Sequence, residues 1–136
     1  VVSLKSQLES VASEYVMMHC VSMYPTPLEK ISIERLVSIR NISGEKGVLG
    51  ISDHSMGTTF PKVAVVNGAR WIEKHFTTDR NIPGPDNPMS IVPSELAEIR
   101  KFCDEYDTIG IDSSVKPYQD EINLRNVIVN RFGDNS

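Results

Sequence analysis

Short apolar runs alternate with helically spaced apolar residues along most of this chain, and that alternation constrains its fold more than any other feature. Three runs predict strands, at residues 15–21, 47–52 and 70–76. Helical spacing before, between and after them predicts helices at residues 4–13, 31–42, 60–67 and from Pro93 onward. Units that alternate in this way fold as a parallel sheet with helical crossovers. The sequence therefore predicts an α/β fold.

The length of the chain limits which α/β architecture is open to it. A closed (β/α)₈ barrel needs about 250 residues, whereas this chain has 136 residues and three predicted strands. The pattern describes either a small three-layer domain or part of a barrel. After Tyr106 the apolar pattern weakens, which predicts a tail.

Composition excludes several classes of protein. Fourteen basic residues against 18 acidic ones give a net charge of −4, which argues against a nucleic-acid binder. No apolar run approaches the roughly 20 residues that cross a bilayer, and no signal peptide is visible at the first residues. Two cysteines do not make a disulfide framework, so we expect a cytoplasmic protein. The chain lacks a starting Met, and we expect it to begin inside a longer protein.

Polar residues gather where each predicted strand ends. The three strand ends read His19-Cys20-Val21-Ser22, Ser52-Asp53-His54 and Glu73-Lys74-His75, and they hold all three histidines of the chain. In parallel α/β folds the carboxyl ends of the strands form the edge at which ligands bind. This position is the strongest functional signal that the residues carry.

The alternation of side chains along a strand adds a prediction about two of these histidines. Ser52 and His54 share one face of the second strand, and Glu73 and His75 share one face of the third. If both faces point into a barrel, His54 and His75 approach each other. Two neutral imidazoles with open positions for substrate oxygens suit a catalytic divalent metal.

Other interpretations of the same residues stay open on spacing alone. A histidine near a strand end is more often a hydrogen-bonded structural residue than a ligand, and 21 residues separate His54 from His75, so no short metal motif is present. Ser22 and Ser52 can simply cap the following helices. Cys20 is predicted to be a small buried residue. Asp86, in a Pro-Gly-Pro-Asp sequence, either forms a tight turn or presents a carboxylate to sugar hydroxyls.

Several ordered motifs in these segments resemble the sialic acid synthase family, which includes N-acetylneuraminate, legionaminate and pseudaminate synthases. The resemblance runs from about Leu4 to Leu96, with weaker similarity to about Arg125. Its carriers are Met18-His19-Cys20-Val21-Ser22-Met23-Tyr24-Pro25-Thr26-Pro27, Gly50-Ile51-Ser52-Asp53-His54-Ser55-Met56-Gly57, Ile72-Glu73-Lys74-His75-Phe76-Thr77, Pro83-Gly84-Pro85-Asp86 and Pro93-Ser94-Glu95-Leu96.

The resemblance implies a (β/α)₈ TIM barrel, of which this chain covers the last three βα units. Residues 1–110 would form this C-terminal part of the barrel, and residues 111–136 would be an extended tail or linker toward a missing C-terminal domain. The missing first half would carry the lysines that neutralise phosphoenolpyruvate. The chain departs from the family pattern at Asn87, where the family usually has His.

The resemblance also implies an activity, the condensation of phosphoenolpyruvate with an N-acetylated amino sugar aldehyde such as N-acetylmannosamine. A divalent metal is expected, Mn²⁺ in the first place and Mg²⁺ or Co²⁺ as alternatives. The implied metal ligands are His54 and His75, which together with Glu73 form the catalytic set. The implied substrate-binding residues are Ser22, Tyr24, Ser52 and Asp86.

Two further expectations concern the chain as a whole. An arc of three strands exposes unpaired edges and an apolar inner face, so we expect it to aggregate or to pair with another copy as a homo-oligomer. A fragment without the anion-binding lysines is expected to be inactive alone. The alternative is a truncated, non-catalytic domain that binds sugar or another ligand, or serves assembly.

Overall fold

The computed structural model describes residues 2–109 and 116–133. Helices and strands alternate strictly from Val2 to Thr108, which confirms the predicted order. The elements are α1 (Val2–Val11), β1 (Tyr15–Cys20), α2 (Ile33–Ser43), β2 (Gly47–Asp53), α3 (Thr59–Val66), β3 (Trp71–Lys74), α4 (Pro93–Thr108) and α5 (Gln119–Phe132).

The three strands form one parallel sheet in the order β1-β2-β3. His19 is in register with Ile51 and Ile72, and Cys20 with Ser52 and Glu73. Successive strands are joined by helical crossovers, as the alternating pattern predicts, because parallel strands cannot be joined by a tight turn. The α/β class with a parallel sheet is therefore confirmed.

The core lies between one face of the sheet and the helices. Leu49 and Ile51 of β2 face this core, and Ile51 is fully buried. They pack with Leu36 of α2, Phe60 and Ala64 of α3, and Ala69. Burial of these apolar side chains fixes which face of each strand points toward the helices, because a shift of one residue would expose all of them.

Local sequence signals account for the helix ends. The Ser32 hydroxyl accepts a hydrogen bond from the backbone N–H of Arg35 at 3.2 Å and so caps α2. Gly68 follows α3 with a φ of 97°, a conformation that side chains with a Cβ rarely adopt. Gly68 thus lies directly after the last turn of α3, where a residue without a Cβ is favoured.

The opposite face of the sheet is open. Trp71 of β3 is 54% exposed and Met18 of β1 is 36% exposed, although both are large apolar residues. Cys20 belongs to this open face and is exposed, so the prediction that it is buried was wrong. Strand parity explains the error, since Cys20 alternates with the buried His19 and therefore points away from the core.

The predicted extended tail also needs correction. In the described part of residues 111–136, Gln119–Phe132 form helix α5, which is exposed along its whole length. The helix carries Ile122, Val129 and Phe132 along one stripe, a spacing that sequence inspection missed. Within residues 2–109 and 116–133, no helix combines the length and apolar character needed to span a bilayer.

Candidate functional site

The carboxyl ends of β2 and β3 bring two histidines together. The ring centroids of His54 and His75 lie 5.3 Å apart, with 56° between the ring planes. The predicted approach of these two side chains, 21 residues apart in sequence, is thus confirmed. His54 is 9% exposed, whereas the side chain of His75 is 34% exposed, so the pair lies at the rim of the sheet and is open on one side.

Backbone hydrogen bonds hold both histidines just beyond their strands. The N–H of Thr26 donates to the carbonyl of His54 at 2.9 Å, and the N–H of Ile91 donates to the carbonyl of His75 at 2.8 Å. These bonds belong to short parallel bridges, Thr26 with Ser55 and Phe76 with Ile91. The loops after β1 and β3 therefore extend the sheet where the histidines leave it.

Tyr24 completes an aromatic cluster over the histidine pair. Its ring centroid lies 4.3 Å from that of His54 and 6.1 Å from that of His75. The buried Thr26 shapes this loop, because its hydroxyl contacts the carbonyl oxygens of Val21 at 3.1 Å and Met23 at 2.8 Å. Thr26 thus supports the position of Tyr24, a role that sequence inspection missed.

Asp86 reaches the same cluster from the loop after β3. Its Oδ2 lies 3.6 Å from Nδ1 of His75. The Asp86 carbonyl accepts hydrogen bonds from the N–H groups of Met89 and Ser90 and from the Ser90 hydroxyl, at 3.2, 3.1 and 2.8 Å. Asn87 donates to the carbonyl of Ile82 at 2.8 Å and so pins the loop. Asn87 stands where the resemblance leads us to expect His, and its side chain stabilises the loop through this hydrogen bond.

Ser52 and Glu73 form the floor of the site. They occupy the same register position on β2 and β3, and the Ser52 hydroxyl donates to Oε1 of Glu73 at 2.7 Å. A cleft of about 250 Å³ lies between these residues, Lys74 and the two histidines. Ser52 lies within β2, and the N-cap residue of the following helix α3 is Thr58. The alternative prediction, that Ser52 caps this helix, was therefore wrong.

His19 lies away from this cluster, and the contact of the Ser22 hydroxyl is with Cys20. His19 points to the opposite, helix-covered face, where its ring meets Phe60 edge-on at 5.9 Å. The Ser22 hydroxyl lies 3.9 Å from Sγ of Cys20, past the end of β1 and one strand away from the β2–β3 pair. The contact of the Ser22 hydroxyl is therefore with Cys20 and does not link Ser22 to the two histidines.

The surroundings of His19 favour its neutral form. It is 3% exposed, and neither ring nitrogen has a hydrogen-bond partner in the described part of the chain. Removal from water, assisted by the positive charge of Arg35, lowers its pKa below the ordinary value of 6.5. His19 is therefore a structural histidine that packs in the core and is not part of the rim cluster.

A buried ion pair lies behind the histidines. Nζ of Lys74 donates to Oδ2 of Asp53 at 2.7 Å, and the two side chains are 3% and 1% exposed. Lys74 lies on the face opposite Glu73, as the alternation of side chains along β3 requires, but sequence inspection did not find its partner. The signal was present: Asp53 follows the buried Leu49 and Ile51 at the strand period of two.

The side chains at the rim offer few possible metal ligands. In residues 2–109 and 116–133, no group of three or more His, Cys, Asp or Glu side chains is arranged to hold a metal ion. Two imidazoles are present, and the buried Nδ1 of His54 has no hydrogen-bond partner in those ranges. Of the residues in those ranges, the two imidazoles are therefore the side chains that could act as metal ligands, and any further ligands would have to come from bound molecules.

Fold and site together define a parallel α/β protein whose polar and aromatic side chains converge at the carboxyl edge of its sheet, where ligands bind in such folds. The chain belongs to the NeuB family, whose family model matches residues 3–110. This confirms the family that the ordered motifs resemble.

Similar proteins of named function include two synthases. The chain is 31% identical over 120 residues to the N,N'-diacetyllegionaminic acid synthase of Legionella pneumophila, covering 88% of this chain and 33% of that protein. It is 37% identical over 93 residues to the N-acetylneuraminate-9-phosphate synthase of Drosophila melanogaster, covering 68% of this chain and 25% of that protein. The chain thus spans between a quarter and a third of the length of these relatives.

A solved structure supports the same relation. The chain is similar to the N-acetylneuraminic acid (sialic acid) synthetase of Leptospira borgpetersenii, solved in complex with citrate. The TM-score is 0.65 and the identity 34%, over 82% of this chain and 39% of that chain.

Proposed function

We propose that this chain supplies the metal- and sugar-binding part of a synthase that condenses phosphoenolpyruvate with an N-acetylated amino sugar aldehyde. The product would be a nonulosonic acid of the sialic acid type. The observation that carries the proposal is the 5.3 Å approach of His54 and His75 at the carboxyl edge of the sheet, beside Tyr24 and Asp86. Membership of the NeuB family and the named synthases among its relatives support it.

The proposed reaction is balanced without a redox partner. C3 of phosphoenolpyruvate forms a bond to the aldehyde carbon of the sugar, water adds at C2, and phosphate leaves. His54 and His75 would hold a divalent metal, Mn²⁺ in the first place, with Mg²⁺ or Co²⁺ as alternatives. When bound, such a metal supplies Lewis-acid polarisation of a carbonyl oxygen.

The chain's own side chains have distinct proposed roles. Glu73 accepts the Ser52 hydrogen bond at 2.7 Å and faces the cleft, so it can take up and return a proton. Asp86 would accept hydrogen bonds from sugar hydroxyls, and Tyr24 would pack against the sugar. Ser52, with Ser22 at the end of β1, would bind phosphoenolpyruvate.

The three strands would form one arc of a (β/α)₈ barrel. The exposed apolar residues Trp71 and Met18 support this, because in a closed barrel that face would be covered. An open arc would also favour pairing with another copy. The free thiols Cys20 and Cys103 accord with a reducing compartment, and we place the reaction in the cytoplasm.

The test is an activity assay on the longest natural form of the protein, with phosphoenolpyruvate and N-acetylmannosamine, followed by phosphate release. We expect chelation to abolish activity, added Mn²⁺ to restore it, and His54→Ala or His75→Ala to remove it. His19→Phe is the matched control, since it removes a histidine from the opposite face and should keep the metal dependence. Full activity with chelator present would refute the metal role.

A second candidate is a non-catalytic domain that binds a sugar or serves assembly. It would use the same rim cluster of His54, His75, Tyr24 and Asp86 to hold a sugar, with no condensation taking place there. Calorimetric binding of N-acetylmannosamine without any phosphate release, in the longest natural form and with Mn²⁺ present, would favour this candidate over the synthase.

A further inference from the structure

The buried side chains of Asp53 and Lys74 form hydrogen bonds to each other and to the backbone of Ser55. Nζ of Lys74 donates to Oδ2 of Asp53 at 2.7 Å and also to the carbonyl of Ser55. Oδ1 of Asp53 accepts from the N–H of Ser55 at 2.7 Å. Both charged groups are therefore hydrogen-bonded and almost completely buried.

The pair stands directly behind the two histidines. Asp53 and Lys74 are the last register pair of the β2–β3 ladder, and each immediately precedes one histidine. Side chains alternate across a strand, so the ion pair lies on the helix-covered face and the imidazoles lie at the open rim. Beyond the ladder, the backbone of His54 is tied to Thr26 and that of His75 to Ile91. Those bonds lead to other loops and do not join the two histidines.

Stability alone does not explain a charged pair at this position. Two buried charges lose their hydration, and apolar residues of similar volume are often equally stable or better. What an ion pair with several hydrogen bonds adds is a defined geometry. Here that geometry connects β2 and β3 at the point where the ladder ends.

We propose that Asp53 and Lys74 are positioning residues that set the separation of the His54 and His75 rings. The function of that separation, holding a metal, rests on the proposed synthase activity. The ring geometry itself does not depend on it.

The test uses the double variant D53N/K74M in the longest natural form of the protein. Asn keeps the acceptor for the Ser55 N–H, and Met keeps much of the length of Lys, so no buried charge is stranded. The matched control is K62M/E98Q, which removes a Lys–Glu pair on the outer surface between α3 and α4. If D53N/K74M does not fold, D53N/K74Q takes its place under the same readouts.

The first readout needs no metal. Selectively labelled histidines should show a nuclear Overhauser effect between the His54 and His75 rings in the wild type and in K62M/E98Q, and it should disappear in D53N/K74M. An unchanged effect in the folded double variant would overturn the positioning role.

The second readout is Co²⁺ titration followed by visible absorbance. We expect the double variant to bind Co²⁺ about tenfold more weakly, the size of loss seen when groups that orient metal ligands are removed, and His54→Ala to bind none. Wild type that binds no Co²⁺ would refute the proposed metal site, while the ring contact would still decide the positioning role. Unaltered Co²⁺ affinity in the double variant would contradict the positioning role of Asp53 and Lys74.

Discussion

Replacement of Lys74 by Met is expected to destabilise the protein strongly. The substitution removes the donors to Asp53 and to the Ser55 carbonyl and leaves the Asp53 carboxylate without its counter-charge in a site that is 1% exposed. The N–H of Ser55, at 2.7 Å, still donates a hydrogen bond to that carboxylate.

The expected size of the loss separates two explanations. Two ordinary hydrogen bonds are worth about 1 kcal/mol each, so their loss alone would cost about 2 kcal/mol. Removing one partner of a buried ion pair costs about 3–5 kcal/mol, because the remaining charge stays buried and unpaired. We expect the larger value for Lys74→Met. The double variant D53N/K74M should recover most of it, since no charge remains to be buried.

Urea unfolding measures this directly. Trp71 is the single tryptophan of the chain and begins β3, the strand that ends at Lys74, so its fluorescence reports on this part of the sheet. Lys62→Met, which removes the lysine of an outer-surface pair, is the control and should change the free energy of unfolding little. A loss of less than about 1 kcal/mol for Lys74→Met, typical of exposed pairs, would refute the view that this pair is dehydrated.

Two further predictions concern the helix-covered side of the molecule. Because the pKa of His19 is lowered in the folded protein, the unfolded chain takes up a proton at this residue more readily than the folded chain. The contribution of His19 to stability is therefore complete above pH 6.5 and declines as the pH falls below 6.5. His19→Phe should therefore flatten the acid side of a urea-midpoint profile, and an unchanged slope would contradict this. Ser32→Ala removes the acceptor of the Arg35 N–H and should cost about 1 kcal/mol in thermal unfolding, whereas Ser38→Ala, within the same helix, should not.

The order of helices and strands was predictable because burial imposes a period on the sequence. The runs that predict the strands correspond to β1, β2 and β3 within one or two residues at their ends. The shared face of Ser52 and Glu73 followed from the alternation of side chains along the strands, and the 2.7 Å bond between them agrees with it. Strand parity therefore carried the prediction of the histidine pair.

The errors have physical reasons as well. Cys20 was predicted to be buried because cysteine usually is, but its parity with Ser52 places it on the open face. Helix α5 was missed because its apolar residues are interspersed with polar ones. Lys74 and Asp53 were not paired because charged residues are rarely expected on a buried face, and the partner is 21 residues away.

By itself, the sequence determined the α/β alternation, the sheet edge that carries the polar groups and the family, since each of these depends on local periodicity or ordered motifs. The sequence also predicted that His54 and His75 approach each other, but only the tertiary structure decided their separation and which other groups join them. It placed His54, His75, Tyr24 and Asp86 in one cluster, turned His19 into the core, and set a dehydrated ion pair behind the histidines. The physical reason is that these contacts join residues far apart in the chain, and their distances depend on how the strands and loops pack.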